Sequence, residues 1–150
     1  MASASDLSST APRHILQCRP NYFCAPQVFY FRPHEKWYLI YQVHESERNL
    51  GLQPAFSTSS DIAAPNSWTP AALFFPEVDP TGVHRWIDFW LICDATHAYQ
   101  FFTSLDGSMW RMSTSIDQFP HGFDHCKLAL EADIFEASHT CLLLEQNKYL

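Results

Sequence analysis

The sequence has few positive charges and no long apolar run. Its nine Lys and Arg residues are scattered singly against 16 Asp and Glu, giving a formal net charge of -7. That leaves no basic stripe to follow a phosphate backbone, so nucleic acid is not an expected partner. No hydrophobic stretch approaches the roughly 18 residues that a membrane-crossing helix needs. The opening MASASDLSST lacks the basic and apolar regions of a secretory signal. The five cysteines (18, 24, 93, 126 and 141) form no C-x-x-C pair and are odd in number. They therefore suggest neither a zinc site nor a complete disulfide framework. Cys93, inside an apolar stretch, reads as a small core residue. The run HGFDHC at His121–Cys126 matches no standard ligand spacing and reads as a polar loop, so no metal and no cofactor are expected.

What remains is a globular composition: 150 residues, 47% hydrophobic and 15% aromatic, enough for one domain-sized core. Three segments look alike. QVFYFRPHEKWYLIYQ (Gln27–Gln42), DFWLICDATHAYQFF (Asp88–Phe102) and EASHTCLLLEQNKYL (Glu136–Leu150) each join an apolar strand through a polar turn to a second strand opening on Tyr38, Tyr99 or Tyr149. They predict three antiparallel hairpins. After the first two come FSTSSD (Phe56–Asp61) and MSTSID (Met112–Asp117), with Ser57 and Ser113 lying 56 residues apart. Each leads through a proline-containing loop to an aromatic, Trp68 or Phe123, and then to a short apolar strand, ALFF (Ala72–Phe75) or KLALE (Lys127–Glu131). Four strands in about fifty residues is the content of a β-propeller blade. Helices are not expected, because Pro, Gly and Ser interrupt every periodic window within about ten residues.

The predicted class is all-β, with an irregular segment over 1–24 and a partial propeller over 25–150. Its blades run from about 25 to 78 and 84 to 131, with part of a third over 133–150. About two and a half blades make an open piece of a ring that closes with roughly four to eight.

Four strings carry a family resemblance: APQVFYFRPHEKWYLIYQ, AFSTSSDIAAPNSW, RWIDFWLICDATHAYQFFTSLDGSMWRMSTSIDQFPHGF and IFEASHTCLLLEQNKYL. Together, from about Ala25 to Leu150, they resemble the central part of glycoside hydrolase family 62. Its members are secreted α-L-arabinofuranosidases that remove arabinose branches from arabinoxylan, and the family fold is a five-bladed propeller. The resemblance implies an extracellular enzyme of xylan breakdown, acting as a monomer on arabinoxylan or arabino-oligosaccharides. It also implies hydrolysis with inversion, in which a general acid and a general base stand roughly 6.5–9.5 Å apart across the bond.

Carried over by position, Glu136 of IFEAS is similar to the family's general acid, and Asp88 of WIDFW to the carboxylate that keeps the acid's pKa high by like-charge repulsion. The repeat supports the pair, since both open the first strand of consecutive units, 48 residues apart. The family's base is an Asp on a first blade, and the only acid before Gln27 is Asp6, in a context that does not resemble that motif. No base is assigned in this chain. Trp86 and Trp90, flanking Asp88, are candidates to stack on sugar. Gln27 is expected at the place that Asp88 takes one unit later, with its amide facing substrate.

Each of these has a plainer reading. Asp88 is also explained as a carboxylate satisfied by backbone donors at a strand end, and Glu136 as an acid at a sheet edge. Most of the tryptophans read as core between sheets. Asp94, His97 and Asp106–Gly107 read as turn residues. Without an assigned base, an inactive carbohydrate-binding remnant and a gene-model fragment stand beside the enzyme.

Overall fold

The computed structural model describes residues 22–45, 51–76, 86–133, 142–143, 145–146 and 148–149. Apart from two short 3-10 turns, their regular structure is β. No helix among the described residues is long and apolar enough to cross a membrane.

The first sheet holds β1 (Phe23–Phe31), β2 (Lys36–Glu45), β3 (Gly51–Ser59) and β4 (Ala72–Leu73), antiparallel and in chain order. The second repeats that order with β5 (Trp86–Cys93), β6 (His97–Ser104), β7 (Ser108–Ser115) and β8 (Asp124–Glu131). A short antiparallel hairpin, β9 (Leu142–Leu143) with β10 (Lys148–Tyr149), accounts for the third predicted one within the described residues.

The turns explain why each chain reversal falls where it does. Between β1 and β2, Pro33 presets a 3-10 turn, and Glu35 closes it in the left-handed region (φ 51°), donating its N–H to the Arg32 carbonyl at 3.1 Å. Between β5 and β6, Asp94 Oδ1 accepts from the N–H groups of Thr96 (2.7 Å) and His97 (2.8 Å), an Asx-type reversal. Between β6 and β7, Gly107 sits at φ 91°, and a Cβ there would lie 2.6 Å from the Ala132 carbonyl oxygen. Only glycine fits that close approach.

The Ser/Thr repeats act at the ends of β3 and β7, where hydroxyls pin the following loops. Thr69 Oγ1 accepts from the Thr58 N–H (2.9 Å), Ser59 Oγ accepts from the Asp61 N–H (2.9 Å), and Thr114 Oγ1 donates to the His121 carbonyl (2.7 Å).

Several boundaries differ from the sequence reading, and β1 already begins at Phe23, inside the segment read as irregular. The second strands open at Lys36, His97 and Lys148, ahead of their tyrosines. The ALFF strand stops at Leu73; Phe74, whose N–H still bonds the Pro54 carbonyl at 3.1 Å, and Phe75 bury their rings at 3% and 8% exposure. The KLALE strand begins earlier, at Asp124, so part of the HGFDHC run lies in a strand.

The two sheets face each other across one aromatic core. Phe31, Tyr38, Ile40, Phe56, Phe74 and Phe75 meet Phe89, Leu91, Phe102, Met112, Phe119 and Phe123 there. Phe119, from the loop after β7, lies at its centre, with ring centroids 4.6 Å from Phe31 and 5.1 Å from Tyr38. Loop aromatics thus do the work that sheet alternation alone cannot, sealing the gap between two twisted faces. The opposite face of the first sheet carries a smaller cluster of Tyr41, Val43 and Ala55.

Candidate functional site

The functional reading centres on β5. Its register against β6 shifts between Ile87 and Trp90, so Asp88 and Phe89 together oppose one residue of the partner strand. Asp88, the first residue of this bulge, has φ 56°. The left-handed region costs a non-glycine residue roughly 1–2 kcal/mol, least for Asn and Asp, whose short polar side chains bond locally. A bulge of this kind re-aims a side chain and interrupts strand pairing. Here it carries the half-buried Asp88.

β1 has the same device one unit earlier. Its register shifts between Cys24 and Gln27, and Ala25 takes φ 50°. Matched bulge to bulge, the counterpart of Asp88 is Ala25, and Gln27 matches Trp90. That corrects the expectation that Gln27 holds the Asp88 place; hydrophobic patterning carries no mark of the two-for-one step that sets the register.

Two glutamines of the first sheet grip β5. Gln42, on β2 and 3% exposed, accepts a hydrogen bond from the Asp88 N–H through Oε1 at 2.9 Å. Gln27, on β1, takes both backbone groups of Leu91: its Nε2 donates to the Leu91 carbonyl and its Oε1 accepts from the Leu91 N–H, each at 2.7 Å. The Gln27 amide is therefore engaged with main chain. Beside Asp88 lies Tyr22, 60% exposed; its hydroxyl is raised above the usual phenol range first by its hydrogen bond to Cys24, with the Asp88 charge a smaller contribution. Neither Gln42 nor Tyr22 was marked by the sequence. Gln42 follows the run WYLIY as an ordinary polar strand residue, and only the packing of sheet on sheet brings its amide to Asp88.

The remaining candidates divide. Trp90 is 3% exposed, with its ring stacked on Phe101 at 5.3 Å and 11°, a packing position that offers no face to solvent. Trp86 is in β5 opposite Ser104. Its side chain, and the whole of Glu136, lie outside the described residues. Among the described residues, no group of three His, Cys, Asp or Glu side chains is placed to hold a metal ion.

At the far end of β1 and β5 a cavity of about 470 Å³ opens between the sheets, lined by Phe31, Arg32, Leu91, Cys93, Asp94 and Ile116 among others. Burial, with the Asp94 charge second, pushes the Cys93 thiol up to about 12. Packed partly against the core, Cys93 is the small apolar residue that its sequence setting implied.

Against known proteins, the chain is 37% identical over 133 residues to alpha-L-arabinofuranosidase C of Cellvibrio japonicus, covering 84% of this chain and 19% of that protein. Among solved structures it is similar to the alpha-L-arabinofuranosidase of Podospora anserina in complex with cellotriose (TM-score 0.68, 36% identity, 79% of this chain and 38% of that one). It is likewise similar to the catalytic domain of the Coprinopsis cinerea enzyme (TM-score 0.67, 34% identity, again 79% and 38%). A third, a hydrolase in complex with xylotriose, aligns with TM-score 0.63 at 33% identity, over 75% of this chain and 35% of the other. The chain thus spans less than two fifths of the length of each. The profile of glycosyl hydrolase family 62 matches residues 2–150, nearly every position from the hairpin repeats to the WIDFW and IFEAS strings, and the chain belongs to that family.

Proposed function

We propose that this chain carries part of an inverting α-L-arabinofuranosidase that removes arabinose branches from arabinoxylan outside the cell. In this reading the two four-stranded sheets are consecutive blades of a five-bladed propeller, the β9–β10 hairpin belongs to a third, and β1 and β5 border the central channel. The bulge on β5 sets Asp88 at the channel mouth. Glu136 is the proton donor to the leaving xylose oxygen, and its apolar neighbours Phe135 and Ala137 favour the protonated form. The Asp88 charge adds like-charge repulsion, so that Glu136 still holds its proton near neutral pH. A base on the far side of the sugar activates water, and no residue of this chain is assigned to that role. Trp86 is kept as a sugar contact, while Trp90 and Gln27 are assigned to the frame. The protein is taken to act as a monomer.

The observation that carries the reading is the family match over residues 2–150 together with Asp88 on a strained bulge beside a sheet-to-sheet clamp. The test is release of arabinose from wheat arabinoxylan by the purified chain, with Glu136→Gln as the control that abolishes it. A second reading is a carbohydrate-binding remnant. Retarded migration in a xylan-containing gel without arabinose release selects it for the chain alone.

A further inference from the structure

We propose that Gln42 is the positioning residue for Asp88, its amide oxygen holding the backbone N–H of the bulge on which that carboxylate is carried. The inference rests on the reading of Asp88 as the carboxylate that acts on Glu136.

Asp88 is the left-handed residue of its bulge (φ 56°), set at the two-for-one step between β5 and β6. Such a conformation persists only where surrounding structure over-determines it. One determinant is in the other sheet: Gln42 Oε1 accepts the Asp88 N–H at 2.9 Å, from a side chain 3% exposed. A buried amide on a central strand has few rotamers open to it, so the bulge is fixed from outside its own sheet. Gln27 fixes the same strand three residues on, through Leu91. The two contacts leave β5 little freedom to slide or flatten, and flattening is the motion that would swing the Asp88 carboxylate to the other face of the strand. Among the described residues, the ionisable groups beside Asp88 include the Tyr22 hydroxyl and, bonded to it, the Cys24 thiol. Neither is altered in the variants below.

The test follows the Glu136 carboxyl by 13C NMR through a pH titration of the 150-residue chain, a measurement that needs no turnover. Asp88→Asn removes the repelling charge and is expected to lower the Glu136 midpoint by about one pH unit. Gln42→Met keeps the side-chain length but has no comparable acceptor; it is expected to lower the midpoint in the same direction by a smaller amount, and to add nothing once Asp88→Asn is present. If Asp88→Asn leaves Glu136 unmoved, the assignment of Asp88 falls and the proposal with it. If Asp88→Asn lowers the midpoint and Gln42→Met does not, the positioning role alone is overturned. Should Gln42→Met fail to fold, hydrogen exchange in the unaltered chain decides. Protection of the Asp88 N–H by about tenfold or more supports the clamp, and exchange at the free-peptide rate rejects it.

Discussion

The side chain of Gln27 stands in for a strand partner of Leu91, returning both of its main-chain hydrogen bonds at 2.7 Å across 64 residues of sequence. A primary amide has the same donor and acceptor as a peptide unit, so it satisfies the pair of groups that a strand edge would otherwise expose to association. Gln27→Leu removes donor and acceptor together. With Leu91 3% exposed, neither group is readily recovered by water. The expected cost is about 1–3 kcal/mol, read as a lower urea midpoint with an unchanged slope. Gln27→Glu restores the acceptor alone and sets a carboxylate oxygen against the Leu91 carbonyl, so it is expected to recover little.

The core between the sheets makes a sharper demand. Phe119 is 2% exposed, and its ring also meets His34, Phe74 and Phe123 within 6.3 Å. Phe119→Ala is expected to cost about 3–5 kcal/mol, because the rings around it come from two strands of the first sheet, a turn and two loops and cannot all close on the gap. Phe119→Leu keeps most of the volume and is expected to cost less than half as much. Thermal unfolding followed by near-ultraviolet circular dichroism separates the two, since the aromatic cluster supplies the signal.

Much of this architecture was legible in the sequence, and the boundary of what was legible is physical. Hairpins showed because a run such as VFYF followed by RPHEK carries both strand propensity and turn chemistry in adjacent residues. The repeat showed because FSTSSD and MSTSID perform the same local task at the ends of β3 and β7. Asp88 stood out as an acid among aromatics. The bulge that carries it did not, because its φ is set by non-local packing and Asp–Phe is not a bulge signature. Gln27 was misplaced for the same reason: counting residues along two strands assumes that neither contains an extra one. Gln42 was invisible because its partner lies 46 residues away, in a different sheet.

The turn at Asp94 has a pH signature. Partial burial alone raises its carboxyl, but donors from the N–H groups of Thr96 and His97, the Thr96 hydroxyl and the Tyr99 hydroxyl outweigh that and bring it to about 2. The unfolded reference is about 3.9. A pKa lower in the folded state means that stability from this group is present above about pH 4 and is lost as pH falls towards 2. Asp94→Asn keeps one carbonyl acceptor but removes the charge. Its deficit against the unaltered chain is therefore expected to be constant above about pH 5 and to shrink steadily below pH 4. Water around this exposed turn screens the effect and keeps it small, so urea midpoints at closely spaced pH values are the measurement of choice. A deficit that grows on acidification sinks the assignment.

Gln100 presents the reverse case of Gln27. It lies in β6 opposite Leu91 on one side and Met112 on the other, is 0% exposed, and neither its Nε2 nor its Oε1 has a hydrogen-bond partner among the described residues. A buried amide left unpaired forfeits the hydration it had in the unfolded chain. Gln100→Met has similar length, no amide to desolvate and apolar neighbours on both sides. It is expected to stabilise the fold by about 1–2 kcal/mol, the inverse of the usual outcome for a core substitution. Gln100→Glu should do the opposite and more strongly, since a carboxylate there must either be buried as a charge or take up a proton to enter. Paired urea titrations of the two variants at neutral pH give the comparison. Destabilisation by Gln100→Met would show that the amide is satisfied in solution, by a bound water or another group, and would turn Gln100 from a packing liability into a site.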